Sequence, residues 1–219
     1  MKFISNFLIA FLAVSLLVSC TDQPEGEAAK TEEASETVAK PSGDAQIFEI
    51  TGGNLYWAAT KVGGAHNGSF NVSKGKLAAE NGVVTSGTFI IDINSMTEET
   101  LPDDMKAKFL GHMKSPDFFD AANNPNGQFT IVSVEPLEGN AEANYTITGN
   151  LRLKGITKSV SFPINIVVSE DKISVVSPKF TINRTEWDMK YNSALIGTVA
   201  DKILHDDVSL SIELEAAVR

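Results

Sequence analysis

Residues 159–168 read "SVSFPINIVV", and this stretch decides the fold. Val160, Phe162, Ile164, Ile166 and Val168 fall on one face, and Ser159, Ser161, Pro163 and Asn165 fall on the other. Strict alternation of this kind marks a β-strand with one face buried and one face wet, because successive side chains leave a strand in opposite directions. The same period continues outward in both directions. In "NYTITGNLRLKG" (144–155), Tyr145, Ile147, Gly149, Leu151 and Leu153 alternate with Thr146, Thr148, Asn150, Arg152 and Lys154. "TFIIDI" (88–93) places Phe89, Ile91 and Ile93 together, and "DVSLSIELEA" (207–216) does the same for Val208, Leu210, Ile212 and Leu214.

Turn-forming pairs punctuate these runs: Gly52-Gly53, Gly63-Gly64, Asn81-Gly82, Asn126-Gly127, Gly139-Asn140, and Gly155 between two alternating segments. Half-wet strands joined by short turns are antiparallel and must enclose something. About eight such segments fit an all-β architecture, either a closed barrel or a two-sheet sandwich. One segment breaks the pattern. "TEETLPDDMKAKFLGHM" (97–113) has acidic residues early, Pro102 near a first turn, and Leu101, Met105, Phe109 and Leu110 at helical spacing. This predicts a short amphipathic helix over about residues 99–112, inserted between strands and lying across a barrel end.

The amino terminus has a different organisation. One lysine precedes an apolar run from Phe7 to Val18, the length of a secretory signal core and too short for a membrane span of about 20 residues. It ends in Leu17-Val18-Ser19-Cys20, which looks like a bacterial lipobox. Residues 1–19 are therefore expected to be a signal peptide, and Cys20 a lipidated anchor. Cys20 is the only cysteine, so no disulfide can form within the chain. From Thr21 to Ala45 the composition turns to Glu, Ala, Ser, Thr and Lys. Seven acidic residues stand against Lys30 and Lys40, with no aromatic residue at all. Such a segment buries little apolar area against its chain entropy, so residues 20–45 read as an anchor followed by a disordered acidic tether. The whole chain carries a net charge of −10, which repels phosphate backbones and argues against a nucleic-acid partner.

The ordered pieces "YWAATKVGGAHNGSF", "GTFIIDINSM", "GHMKSPDFFD", "ITGNLRLKGITKSVSFPI" and "TINRTEWDMKYNS" resemble the YceI-like family across residues 46–219. The hairpin piece carries Gly149, Leu151, Gly155, Thr157 and Lys158 at the family's spacing. The resemblance implies an antiparallel, lipocalin-like barrel holding a polyisoprenoid or related amphiphilic lipid. Its interior contacts would come from Trp57, Phe70, Phe89, Ile91, Ile93, Phe129, Ile147, Leu151, Leu153, Phe162, Ile164 and Ile166. Headgroup contacts would come from His66, His112 and Arg184. Alternation alone describes a barrel filled with its own side chains equally well. The chain departs from the more familiar members in "PDDMKAKFLGHM" and in its short "KVGGAH" segment, which leaves the identity of the lipid open.

The stretch "GHMKSPDFFD" (111–120) admits two readings. His112, oriented by Asp117 or Asp120, could serve a reactive site. Alternatively, Phe118 and Phe119 clamp the barrel mouth while His112 ends the helix, where a protonated imidazole suits the dipole. The clamp reading is preferred. No Gly-x-Ser-x-Gly elbow is present, and His66, His112 and His205 have no metal-ligand spacing. The expected function is lipid binding for sequestration or transport, without catalysis, cofactor or metal. The expected location is the cell envelope, with the outer membrane favoured, and a homodimer is the one self-association considered. An enzyme acting on a lipid or small molecule, and a filled barrel serving as a stress-related interaction module, are the alternatives.

Overall fold

The computed structural model describes residues 23–61, 63–198 and 203–218. Cys20 and the expected signal peptide lie outside them. Eleven strands are present among the described residues: β1 (Glu27–Ala28), β2 (Lys30–Glu33), β3 (Gln46–Lys61), β4 (Gly64–Glu80), β5 (Val83–Asp92), β6 (Asn126–Pro136), β7 (Tyr145–Leu153), β8 (Ile156–Val168), β9 (Lys172–Val176), β10 (Phe180–Asn183) and β11 (Leu204–Val218). One helix, α1, spans Asp103–Met113. Strands β3 to β9 follow one another as antiparallel neighbours, β9 pairs with β11, and β11 returns to β3. The sheet thus closes into an eight-stranded barrel, one of the two architectures that fit the alternation. β7 and β8 meet in the tight hairpin expected at Gly155. Lys154 and Gly155 both take left-handed backbone angles (φ 48° and 78°), the geometry of a two-residue turn whose twist matches the strands.

The barrel wall is not continuous along β8. The second half of β8 pairs with β9 from Asn165 to Val168, but its first half and β10 do not pair with each other. The amino-terminal segment fills that seam. β1 runs parallel to β10, with Glu27 opposite Phe180, and β2 runs antiparallel to β8, from Lys30 opposite Ser161 to Glu33 opposite Lys158. The strap then continues around the outside. Ser35 exchanges two hydrogen bonds with the Asn150 side chain, at 2.9 Å each, and the Ala39 amide donates to the Ile131 carbonyl at 3.0 Å. Residues 23–45 were expected to be disordered because they bury little apolar surface. The structure corrects this for its described part: the segment satisfies its backbone groups on open sheet edges, a source of order that side-chain composition does not register. Ala29 turns inward against the core, and Glu25 and Glu33 pair with Lys179 and Lys158.

The helix also begins later than expected. Thr97 to Leu101 is tied to β4 and to a buried carboxylate instead: Thr97 N donates to Ser69 O, Glu99 N to Asn67 O, and Glu98 accepts from the Thr100 and Leu101 amides. α1 starts only after Pro102, whose carbonyl accepts the first helical bonds from Met105 and Lys106.

The two halves of the barrel differ. Away from α1, Phe89, Phe129, Phe162 and Phe180 form a chain of ring contacts with centroids 5.2, 5.8 and 4.0 Å apart, the last pair nearly parallel at 9°. Below them Leu77, Val84, Ile131, Ile147, Ile164, Ile166, Val175, Ile212 and Leu214 surround a void of only about 20 Å³. That half is solid. The half beneath α1 is hollow.

Candidate ligand cavity

A cavity of about 410 Å³ occupies the end of the barrel under α1. Its walls come from Leu55 and Trp57 on β3, Phe70 on β4, Ile91 on β5, Leu151 and Leu153 on β7, Ile182 on β10, and Val208 and Leu210 on β11. Ile93 and Met96 follow β5, and Trp187 and Met189 complete the wall from the segment after β10. The roof is Phe109, His112 and Met113 from α1, with Phe118 and Phe119 behind them. Polar groups gather at the rim: Thr60, Lys61, Tyr191, Asn192 and His205. Strand alternation explains the walls, since Leu55 and Trp57 point inward while Tyr56 points out and reaches Glu213 at 3.3 Å.

Six of the twelve expected interior contacts line this cavity: Trp57, Phe70, Ile91, Ile93, Leu151 and Leu153. Phe89, Phe129, Ile147, Phe162, Ile164 and Ile166 do not. They face inward as expected but belong to the solid half, where close packing leaves no room for a ligand. Leu55, Phe109, Met113, Ile182, Trp187, Met189, Val208 and Leu210 were not picked out as contacts. Val208 and Leu210 share the alternating face of the last strand, so their period carried the signal. Trp187 is fully buried and donates from Nε1 to the Leu151 carbonyl at 3.1 Å, a tertiary contact without a local signature.

The three polar positions have distinct environments. His66 lines the cavity, and its Nδ1 lies 2.9 Å from the Thr100 hydroxyl and 3.3 Å from Glu98. Glu98 is buried at 4 % exposure. Burial by itself would raise its carboxyl, but the Thr100 hydroxyl, the Leu101 and Thr100 amides and His66 together hold it below the usual carboxylate value of 4.5. A carboxyl whose folded value is depressed contributes stability above its unfolded value, and that contribution disappears as pH falls through the folded one. The melting temperature should therefore drop below about pH 4.5, and Glu98→Gln should flatten that acid limb in a pH series of melting curves. An unchanged limb would remove Glu98 as its source.

His112 pairs with Asp117 at 3.1 Å, as the reactive-site reading requires, but its ring sits edge-on to Phe118 and Tyr191, with centroids 5.2 and 4.6 Å away. Among the described residues, no group of three or more His, Cys, Asp or Glu side chains is gathered for a metal ion. Arg184 borders the cavity, yet its guanidinium is already engaged. It donates to the carbonyls of Met189, His205 (3.2 Å) and Leu204 (3.4 Å), and to the Asp206 carboxylate at 3.0 Å. Arg184 therefore secures the rim segment rather than presenting a free fork to a headgroup. His205 is held by Thr60 at 3.0 Å.

Phe118 is buried, and Phe119 meets Phe70 edge-on at 5.4 Å. Phe118→Ala should cost about 3 kcal/mol, near the low end for a buried ring because α1 can settle into the gap. His112→Ala should cost about 0.3–1 kcal/mol. Melting curves of the two variants test this ranking, and an inverted order would return His112 to a central role.

Residues 48–216 match the YceI-like domain family. The chain belongs to the YceI-like family. Among solved structures, the YceI-like barrel is similar to Burkholderia cenocepacia BcnA, at 19 % identity with a TM-score of 0.57, covering 75 % of this chain and 96 % of that one. It is also similar to a polyisoprenoid binding domain from Saccharophagus degradans implicated in plant cell wall breakdown. That match has 15 % identity and a TM-score of 0.55, and covers 78 % and 98 % of the two chains. At these identities the likeness is one of fold. A comparison with curated protein sequences finds no match.

Proposed function

We propose that this YceI-like barrel binds an amphiphilic lipid of the polyisoprenoid class, and sequesters or carries it within the cell envelope while tethered through a lipidated Cys20. The observation that carries this reading is the division of the cavity. Its lining is mostly Leu, Ile, Phe, Trp, Met and Val side chains, while Thr60, Lys61, Tyr191, Asn192 and His205 come from the end of β3, the start of β11 and the segment before it. An apolar tail inside and a polar head at the rim is the arrangement that such a lining rewards, since apolar burial contributes about 25 cal/mol per Å². A volume of about 410 Å³ lies within the range of ligand sites. The Saccharophagus degradans relative, described as a polyisoprenoid binding domain, supports the same ligand class. Lys61 and Asn192 at the rim and His112 in the roof would meet the head, and Arg184 would support them by fixing the segment that carries Asn192.

The test is mass spectrometry of lipid extracted from the purified chain, together with fractionation of the Cys20→Ser variant. The reading expects about one amphiphile per barrel, and release of the variant from membranes with the barrel still folded. A chain that yields no lipid and takes up none of a supplied prenyl alcohol after delipidation would sink the lipid reading. A variant that still sediments with membranes after a high-salt wash would sink the anchor.

A further inference from the structure

We infer that this barrel measures tail length: it accepts an amphiphile tail of about three isoprene units and has no room for a longer one. The inference rests on the lipid-binding reading and adds to it a ceiling set by the floor of the cavity. At about 30 Å³ for each water- or methylene-sized group, a cavity of about 410 Å³ takes roughly 14 such groups.

Below that depth the barrel is closed by rings packed against one another and against the backbone. Phe162 and Phe180 stack at 4.0 Å and 9°, and Phe129 leans on Phe162 at 5.8 Å. The Phe129 ring lies against the bare backbone of Gly149. A Cβ there would stand 2.2 Å from its Cζ, so the ring fills the space of the side chain that β7 lacks at this position. The strap closes the wall beside the Phe162–Phe180 stack, with Ala29 facing inward at the seam. The void under the rings, about 20 Å³, is smaller than the share of a single methylene and offers no continuation for a chain. A longer tail must therefore leave its excess outside the mouth, where it gains nothing from burial.

The experiment is a length series on the chain from residue 20 onward, delipidated, with geraniol, farnesol, geranylgeraniol and solanesol as probes, alongside saturated primary alcohols. Binding is read by calorimetry or native mass spectrometry. Affinity for the saturated alcohols should rise about fourfold with each methylene buried, then level off near roughly 14 carbons, and among the prenyl alcohols farnesol should mark the plateau. Phe162→Ala should move the plateau to longer tails. If that variant does not fold, Phe129→Leu, which trims the floor less, should move it in the same direction. A wild-type affinity that keeps rising through geranylgeraniol to solanesol overturns the ceiling and leaves lipid binding standing. Absence of binding at every length overturns the lipid reading and this inference together.

Discussion

Phe162→Glu is expected to prevent folding. The ring is 5 % exposed, stacked on Phe180 and in contact with Phe129. Losing it costs about 3–5 kcal/mol, and the carboxylate that replaces it has no cation or donor waiting, which adds several kcal/mol more. Against a total stability of about 5–15 kcal/mol, that sum leaves little or no folded protein. Leu151→Glu makes the control. Leu151 has the same inward orientation on the neighbouring strand but faces the cavity, where water can reach a carboxylate. It should fold with a lowered melting temperature and fail to bind a tail. Circular dichroism and urea denaturation of both variants check the contrast, and a Phe162→Glu protein melting near wild type would contradict a solid lower half.

Arg184→Ala should be the second most damaging change. Arg184 is buried at 6 % exposure, and burial pulls its guanidinium below the ordinary value while Asp206 opposes that shift. Removing one partner of a buried pair costs about 3–5 kcal/mol, and here the low end applies, because the half-buried Asp206 carboxylate keeps the Ser193 hydroxyl at 2.9 Å. Here the carbonyls of Met189, Leu204 and His205 lose donors as well. Arg184→Lys should recover only part of the loss, since an ammonium cannot reach these diverging acceptors with a planar fork. The rim would loosen with the segment, so ligand exchange should accelerate. Melting temperature and the off-rate of a bound prenyl alcohol report the two effects. Wild-type values for both in Arg184→Ala would reduce the guanidinium to a bystander.

Both predictions mark where sequence reading stopped. Alternation placed Phe162 and Leu151 on one inward face, and both do point inward. Nothing in a period of two distinguishes the half of a barrel where rings meet from the half where they do not, because that depends on the summed volumes of side chains from several strands. Phe129 fits over Gly149 only because β6 and β7 are in register there, with Ile131 opposite Gly149 and Phe129 opposite Leu151. The packing of Phe118 and Phe119 under the helix was legible because they are adjacent, apolar and follow it. Arg184 was not, because its partners are three main-chain carbonyls and the Asp206 carboxylate, which lie up to 22 residues away. The strap was illegible for a related reason: its order comes from hydrogen bonds of the backbone, which every sequence possesses.

In a chain anchored through Cys20, that strap would change the mechanics of attachment. A free linker from Cys20 to the first barrel strand would be a loose leash of some 25 residues, with a root-mean-square reach of about 25–30 Å. Here the leash ends at Glu25, which is paired with Lys179. In a chain anchored through Cys20, the five steps that remain span at most about 18 Å. The barrel would then ride close against the bilayer with its tilt restricted. Unzipping β1 and β2 from the seam would pay out more line and release that restriction.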